Sequence, residues 1–153
     1  MIKFFINNSC LGFHVINLFD TNVIRLLEGE NIASLATISP RGNPQVSAVW
    51  VDFDSDHNIL INTALGRQKE RNTRSNKKVA LSIVNRLNSY ETVTISGLVI
   101  DRITKNALLH FDKLSQKYLH ISKYPLHQAR VDRVILKIRP LKVNYTLIPL
   151  QVN

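Results

Sequence analysis

The sequence predicts a mainly β domain: six short antiparallel strands forming a small barrel, with flanking helices. Three observations carry that expectation. Short apolar runs rich in Val, Ile and Thr recur between clusters of Gly, Pro, Asn and Asp, the punctuation of strands and turns. The connections between most of them are short, which joins neighbouring strands as antiparallel pairs. Only one long segment, Thr104 to Ile121, carries apolar residues at steady helical spacing.

The elements follow in order. Asp20 or Thr21 caps a short helix that shows Val23, Ile24 and Leu27 on one face and ends at Gly29. Asn31 to Ile38 is the first strand, and Ser39 to Asn43 a hairpin loop by its Pro and Gly content. Gln45 to Phe53 is the second strand, and Asp54 to Asn58 turns the chain into a third, Ile59 to Thr63, completing an antiparallel meander. Gly66 to Asn76 has helical propensity but no apolar face to bury. Val79 to Val84 and Glu91 to Ile100 are strands four and five, and Gly97 within the latter marks a bulge or a close approach of another backbone. The amphipathic helix carries Ala107, Phe111, Leu114, Tyr118 and Ile121, with Pro125 just past its end. Arg133 to Tyr145 is the sixth strand, bent at Pro140. No repeat or linker divides the chain, so residues 19–153 form one domain and residues 1–18 an extension of unknown role, not a signal peptide.

Composition narrows the function. Lys and Arg number 20 against 11 Asp and Glu, a net charge of +9 that attracts a polyanion or a phosphorylated ligand. A single cysteine, Cys10, excludes a disulfide framework and a cysteine-based zinc site, and favours a reducing, cytoplasmic setting. The five histidines lack metal-motif spacing, and His110 and His120 show no evident carboxylate partner. No apolar run reaches the ~20 residues of a membrane-spanning helix. No nucleophile elbow, P-loop or dinucleotide fingerprint occurs, so chemistry here would come from a bound cofactor.

Two constellations stand out. The basic stretch of Arg67, Lys69, Arg71, Arg74, Lys77 and Lys78 holds one acid, Glu70, and follows a strand ending in Thr63. A helix starting there directs free N–H groups and its positive end at the strand ends, where Arg67, Lys69 and the Thr63 hydroxyl can hold a phosphate. A solvated basic face is the plain alternative. In the strand from Pro44 to Trp50, Gln45, Ser47 and Val49 share one face, a small and polar surface that fits a planar ring. Trp50 on the other face is ordinarily a core residue. Asn88, Ser89, Tyr90 and Glu91 form a polar strand mouth.

In this order, ASLATISPRGNPQVSAVWVDFD, ILINTALGRQKERNTRSNKKVALSIV and SYETVTISGLVI resemble the flavin-type split β-barrel family, which includes the pyridoxamine 5'-phosphate oxidases and deazaflavin (coenzyme F-420) dependent reductases. The most specific element is T-x-x-x-R-x-K-x-x-N, here Thr63, Arg67, Lys69 and Asn72. The resemblance implies an FMN-binding split barrel and a homodimer with FMN or F-420 in clefts between subunits. It places the phosphate on Arg67 and Lys69, with Thr63 and Asn72 in the same motif, and the ring beside Pro44, Gln45, Val46, Ser47 and Ala48. Ser89, Tyr90 and Thr92 complete the site, from the same chain or its partner. The implied activity is hydride transfer to a small planar acceptor. The spelling G-R-x-K-x-R-N leans towards the deazaflavin subgroup. The C-terminal Arg and His motif of true pyridoxamine phosphate oxidases is not visible, so that vitamin oxidation is not expected. The rival readings are a non-catalytic cofactor carrier and a basic barrel binding nucleic acid, the latter disfavoured by scattered aromatics.

Overall fold

The computed structural model describes residues 19–124 and 131–148. The expected extension over residues 1–18 and the helix-ending Pro125 lie outside the described residues. In chain order the elements are α1 (Thr21–Glu28), β1 (Ala33–Ile38), β2 (Pro44–Val49), β3 (Asp52–Phe53), β4 (Ile59–Ala64), α2 (Gln68–Ser75), β5 (Lys78–Asn85), β6 (Asn88–Ile103), α3 (Ala107–Leu119) and β7 (Arg133–Leu147). None of the described helices is long and apolar enough to cross a membrane.

The strands form one antiparallel sheet in the order β2-β1-β5-β6-β7-β4-β3. β2 ends at Val49 and β3 begins at Asp52, yet they occupy opposite ends of that order. A flat sheet would separate its end strands by roughly 29 Å, six spacings of about 4.8 Å, far beyond the reach of two connecting residues. The sheet therefore curls until its edges meet, giving a half-open barrel split along that seam.

Two expectations are corrected here. The strand expected over Gln45 to Phe53 is two strands, so the sheet has seven strands rather than six. The expected meander holds only in its two pairings, β1 antiparallel to β2 and β3 to β4, because the break puts β2 and β3 at opposite ends of the sheet. The break at Trp50 and Val51 has a physical cause, because side chains of α3 take over the backbone ladder there. Val51 N donates to the Tyr118 hydroxyl at 3.1 Å, and Lys117 Nζ donates to Val51 O at 3.0 Å and to Leu27 O at 2.5 Å. Burial pushes the Lys117 ammonium down to about 8.

Alternation supplies the core. Leu35, Ile59, Ile61, Leu81, Ile83, Val93, Ile95, Leu136 and Ile138 point into the barrel, where α1 adds Val23, Leu26 and Leu27. Asp20 caps α1 by accepting from the amides of Asn22 and Val23, both at 2.9 Å. The amphipathic helix starts at Ala107 and ends at Leu119, so Ile121 lies beyond it and is exposed. Ala107 and Leu114 are buried, while Phe111 and Tyr118 are half-buried.

Gly97 is a close approach, as its position suggested. The β6–β7 register shifts between Ser96 and Gly97, and a Cβ at Gly97 would sit 2.5 Å from Arg139 O. Opposite it, Pro140 lies beyond Ile138, the last β7 residue paired with β4, so its missing N–H costs no ladder bond on that side. Gly97→Ala should destabilise the domain by about 1–3 kcal/mol in urea denaturation, because backbone must move. An unchanged midpoint would show that the two strands have room.

Candidate functional site

Helix α2 has no large apolar residue, but it does bury a face, and that face is polar. Glu70, Asn72 and Thr73 are all nearly inaccessible. Glu70 accepts from Arg74 Nε at 2.7 Å, from the Gly66 amide at 3.0 Å and from Arg102 Nη2. The hydrogen bond to Gly66 resembles half of a capping box, with a carboxylate three residues into the helix reaching back to its start. Burial works against the Glu70 charge, but the bonds from Arg74 and Gly66 and the Arg102 charge outweigh it and hold the carboxyl below its usual range. Asn72 donates to Thr37 Oγ1 at 3.0 Å and to Gln45 Oε1 at 3.1 Å, while its own oxygen accepts from Gln68 at 2.7 Å. The helix is docked by hydrogen bonds where apolar packing is missing.

This docking presents the start of α2 at the barrel rim. Arg67 is its N-cap in an extended conformation, with no capping side-chain hydrogen bond, and Lys69 lies in the first turn. Among the described residues neither Arg67 nor Lys69 has an ion-pair partner, in contrast to Arg74 and Arg102 on Glu70. Burial, then the Arg67 charge, lowers the Lys69 pKa. Of the described residues, three have buried side-chain polar atoms without a hydrogen-bond partner, and two of them are Ser47 and Thr63. Both hydroxyls belong to the residues picked out in the sequence.

The other candidates divide between two places. Pro44, Val46 and Ala48 face outward on β2 and are exposed, and Gln45 and Ser47 are half-buried on the opposite side, so the alternation is as expected. Asn72 joins Gln45 directly, which brings the β2 and α2 groups to one end of the barrel. Ser89, Tyr90 and Thr92 do not join them within the chain. Thr92 pairs with Val84, whereas α2 leads into Lys78, six residues back along β5 and roughly 20 Å away.

A second polar cluster escaped the sequence reading. His110 does have a carboxylate partner: its Nε2 lies 3.3 Å from Asp52 Oδ2, and its Nδ1 faces Asn62 Nδ2 at 3.2 Å. His120 likewise meets Glu30 at 3.3 Å. Lys113 Nζ also donates to Asp52 at 2.6 Å. Burial opposes the Asp52 charge, but His110 and Lys113 hold the carboxyl well below the carboxylate range. Asn62 Oδ1 accepts from Arg133 Nε at 2.5 Å. Trp50 stacks on Tyr118 with ring centroids 5.3 Å apart and on Phe111 at 5.6 Å. Only Asp52, Asn62, His110 and Arg133 being polar hinted at this, since four distant positions share no spacing.

A curled antiparallel sheet split at one seam, with a cationic helix start at its rim, defines a flavin-type split barrel. The chain belongs to the pyridoxamine 5'-phosphate oxidase family, whose sequence model matches residues 19–147. It is similar to a solved F-420 reductase at 33% identity, covering 78% of this chain and 94% of that one with a TM-score of 0.69. A conserved hypothetical protein of Mycobacterium tuberculosis shares the fold at 18% identity, covering 88% and 92% with a TM-score of 0.68. General stress protein 26 of Bacillus anthracis does so at 16% identity, covering 82% and 91% with a TM-score of 0.60. No curated protein gives a significant match.

Because the Glu70 charge is held below its ordinary 4.5, its stabilising contribution is complete above that pH and is lost as pH falls through the lower folded value. Glu70→Gln should therefore flatten the acid limb of stability and cost about 3–5 kcal/mol at pH 7, measured by urea denaturation across pH. An unchanged acid limb would remove Glu70 as the anchor.

Proposed function

We propose that this protein binds a phosphate-bearing flavin-type cofactor, F-420 or FMN, and uses it to reduce or oxidise a small planar organic compound. The observation that carries the reading is the start of α2: among the described residues Arg67 and Lys69 have no acid partner, and the Thr63 hydroxyl at the end of the preceding strand is buried without a hydrogen-bond partner. Two cations at a helix start, with a hydroxyl at the end of the preceding strand, fit a phosphate ester. The similarity to an F-420 reductase supports the deazaflavin alternative, with FMN as its rival.

When bound, the cofactor supplies hydride chemistry. The chain's residues do the rest. Arg67 offers a planar fork and Lys69 a point charge to the phosphate, with the Thr63 hydroxyl donating to the same group. Gln45 and Ser47 present an amide and an unpartnered hydroxyl to the ring edge, and Pro44, Val46 and Ala48 line the strand beside it. Asn72 acts one step back, fixing Gln45 through its amide.

The site is completed by a second copy. The outer face of β1, β2, β5 and β6 carries Ser34, Ala36, Val46, Ala80, Ser82 and Thr94 around a groove of about 310 Å³, a surface of small side chains suited to another sheet, with Lys78 and Lys142 at its margin. Ser89, Tyr90 and Thr92 are too far from α2 in their own chain to serve its cofactor. A partner seated on this face would bring them to it.

Titration of FMN and F-420, followed by absorbance and fluorescence, should give saturable micromolar binding of at least one. Arg67→Ala with Lys69→Ala should weaken it about a hundredfold, the loss of two charge-assisted contacts, without lowering stability. Unaltered affinity in the double variant would sink the phosphate assignment. Ala80→Arg should convert a dimer to a monomer in light scattering and abolish cofactor binding; a variant that stays dimeric would move the interface elsewhere.

A further inference from the structure

We infer that Arg133 is a third cation of the anion site, delivered to the phosphate arm of the ligand from β7, opposite to Arg67 and Lys69. The inference rests on the proposed cofactor reading and extends it to a residue outside the sequence motif.

Register places Arg133 there. It pairs with Ala64, and Leu65 N donates to Asp132 O at 2.9 Å, so Arg133 flanks the turn that leads into Arg67. Its guanidinium is held on one edge and one face. Nε donates to Asn62 Oδ1, and Cζ sits 3.4 Å from the centre of the Phe111 ring. Asn62 cannot turn away, because its amide donates to Ala107 O at 2.6 Å and faces His110 Nδ1, and His110 is held in turn by Asp52. That chain of contacts orients Arg133 and leaves its two terminal nitrogens, the fork that grips an oxyanion, uncommitted among the described residues.

The charge environment points the same way. Where this protein uses arginine to hold its fold, it supplies an acid: Glu70 for Arg74 and Arg102, and Glu91 for Arg25. Arg133 instead faces a like charge. Burial, followed by the charge of Arg67, pulls it down to about 10. A half-buried guanidinium repelled by an exposed one at the start of α2 is stabilised by an anion that meets both.

The test uses inorganic pyrophosphate and two pairs of ligands that differ in the phosphate arm: FMN with riboflavin, and F-420 with its phosphate-free deazariboflavin core. Calorimetric titration of the full chain should show Arg133→Gln weakening pyrophosphate and the phosphorylated cofactor about tenfold or more, with the phosphate-free partner unchanged. Arg133→Lys, which keeps charge but loses the fork, should fall between. Equal pyrophosphate affinity in wild type and Arg133→Gln, or no pyrophosphate binding to wild type at millimolar concentration, overturns the inference. So does equal weakening of FMN and riboflavin, which would make Arg133 a support of the ring pocket. Arg133-dependent pyrophosphate binding without any flavin binding would sustain the anion site and refute the cofactor reading.

Discussion

A carboxylate out of contact with water is costly unless its lone pairs are met by donors and opposite charge. Glu70 satisfies that condition with Arg74, Arg102 and the Gly66 amide, and the rest of the site follows from it. Helix α2 has no apolar stripe with which to dock, so this one acid, together with Asn72 and Thr73, supplies its attachment to the barrel. Arg102 comes from β6 and also donates to Thr73 Oγ1 at 3.1 Å, which fastens the helix across the sheet. The geometry sorts the basic residues of α2 into two kinds. Arg74 is neutralised on the inner side, and Arg67 and Lys69 at the rim have no ion-pair partner among the described residues.

A second constraint comes from closing the barrel. The chain passes from one sheet edge to the other between Val49 and Asp52, where no strand partner can follow it. Tyr118 and Lys117 of α3 replace the missing ladder bonds, so α3 is held against the seam by the polar groups it satisfies. The same helix carries His110 and Phe111, which orient Asn62 and Arg133. Two helices therefore support these residues, one docked by a buried acid and the other by a broken strand.

Ion pairing sorts the cations but leaves the +9 excess unchanged. Several arginines are consumed in structure, at Glu70 and Glu91, and part of the excess collects at the rim. A face of Ser, Ala and Thr on the outer sheet is the complementary feature, with charge confined to its margin at Lys78 and Lys142. One chain holds Arg67 and Lys69 at one end of the sheet and Ser89, Tyr90 and Thr92 at the other, the two halves that the proposed dimer would join.

Much of the fold could be read from the sequence because alternation and turn chemistry are local. Strand identities at Leu35, Ile61, Leu81 and Ile95, the capping by Asp20, and the crowding at Gly97 all depend on near neighbours. The T-x-x-x-R-x-K-x-x-N motif was legible for the same reason, since its residues share one turn and one helix. The break at Trp50 and Val51 was not, because it is imposed by Tyr118 and Lys117, more than 60 residues away. Nor was the buried polar face of α2, whose partner Arg102 lies 32 residues from Glu70. Asp52, Asn62, His110 and Arg133 fall on four separate elements and meet only when the barrel closes. The sequence by itself determined most of the elements, the core and the Thr63–Asn72 motif, which rest on short-range periodicity. Tertiary structure alone decided which cations remain unpaired, because pairing depends on contacts between residues distant in the chain.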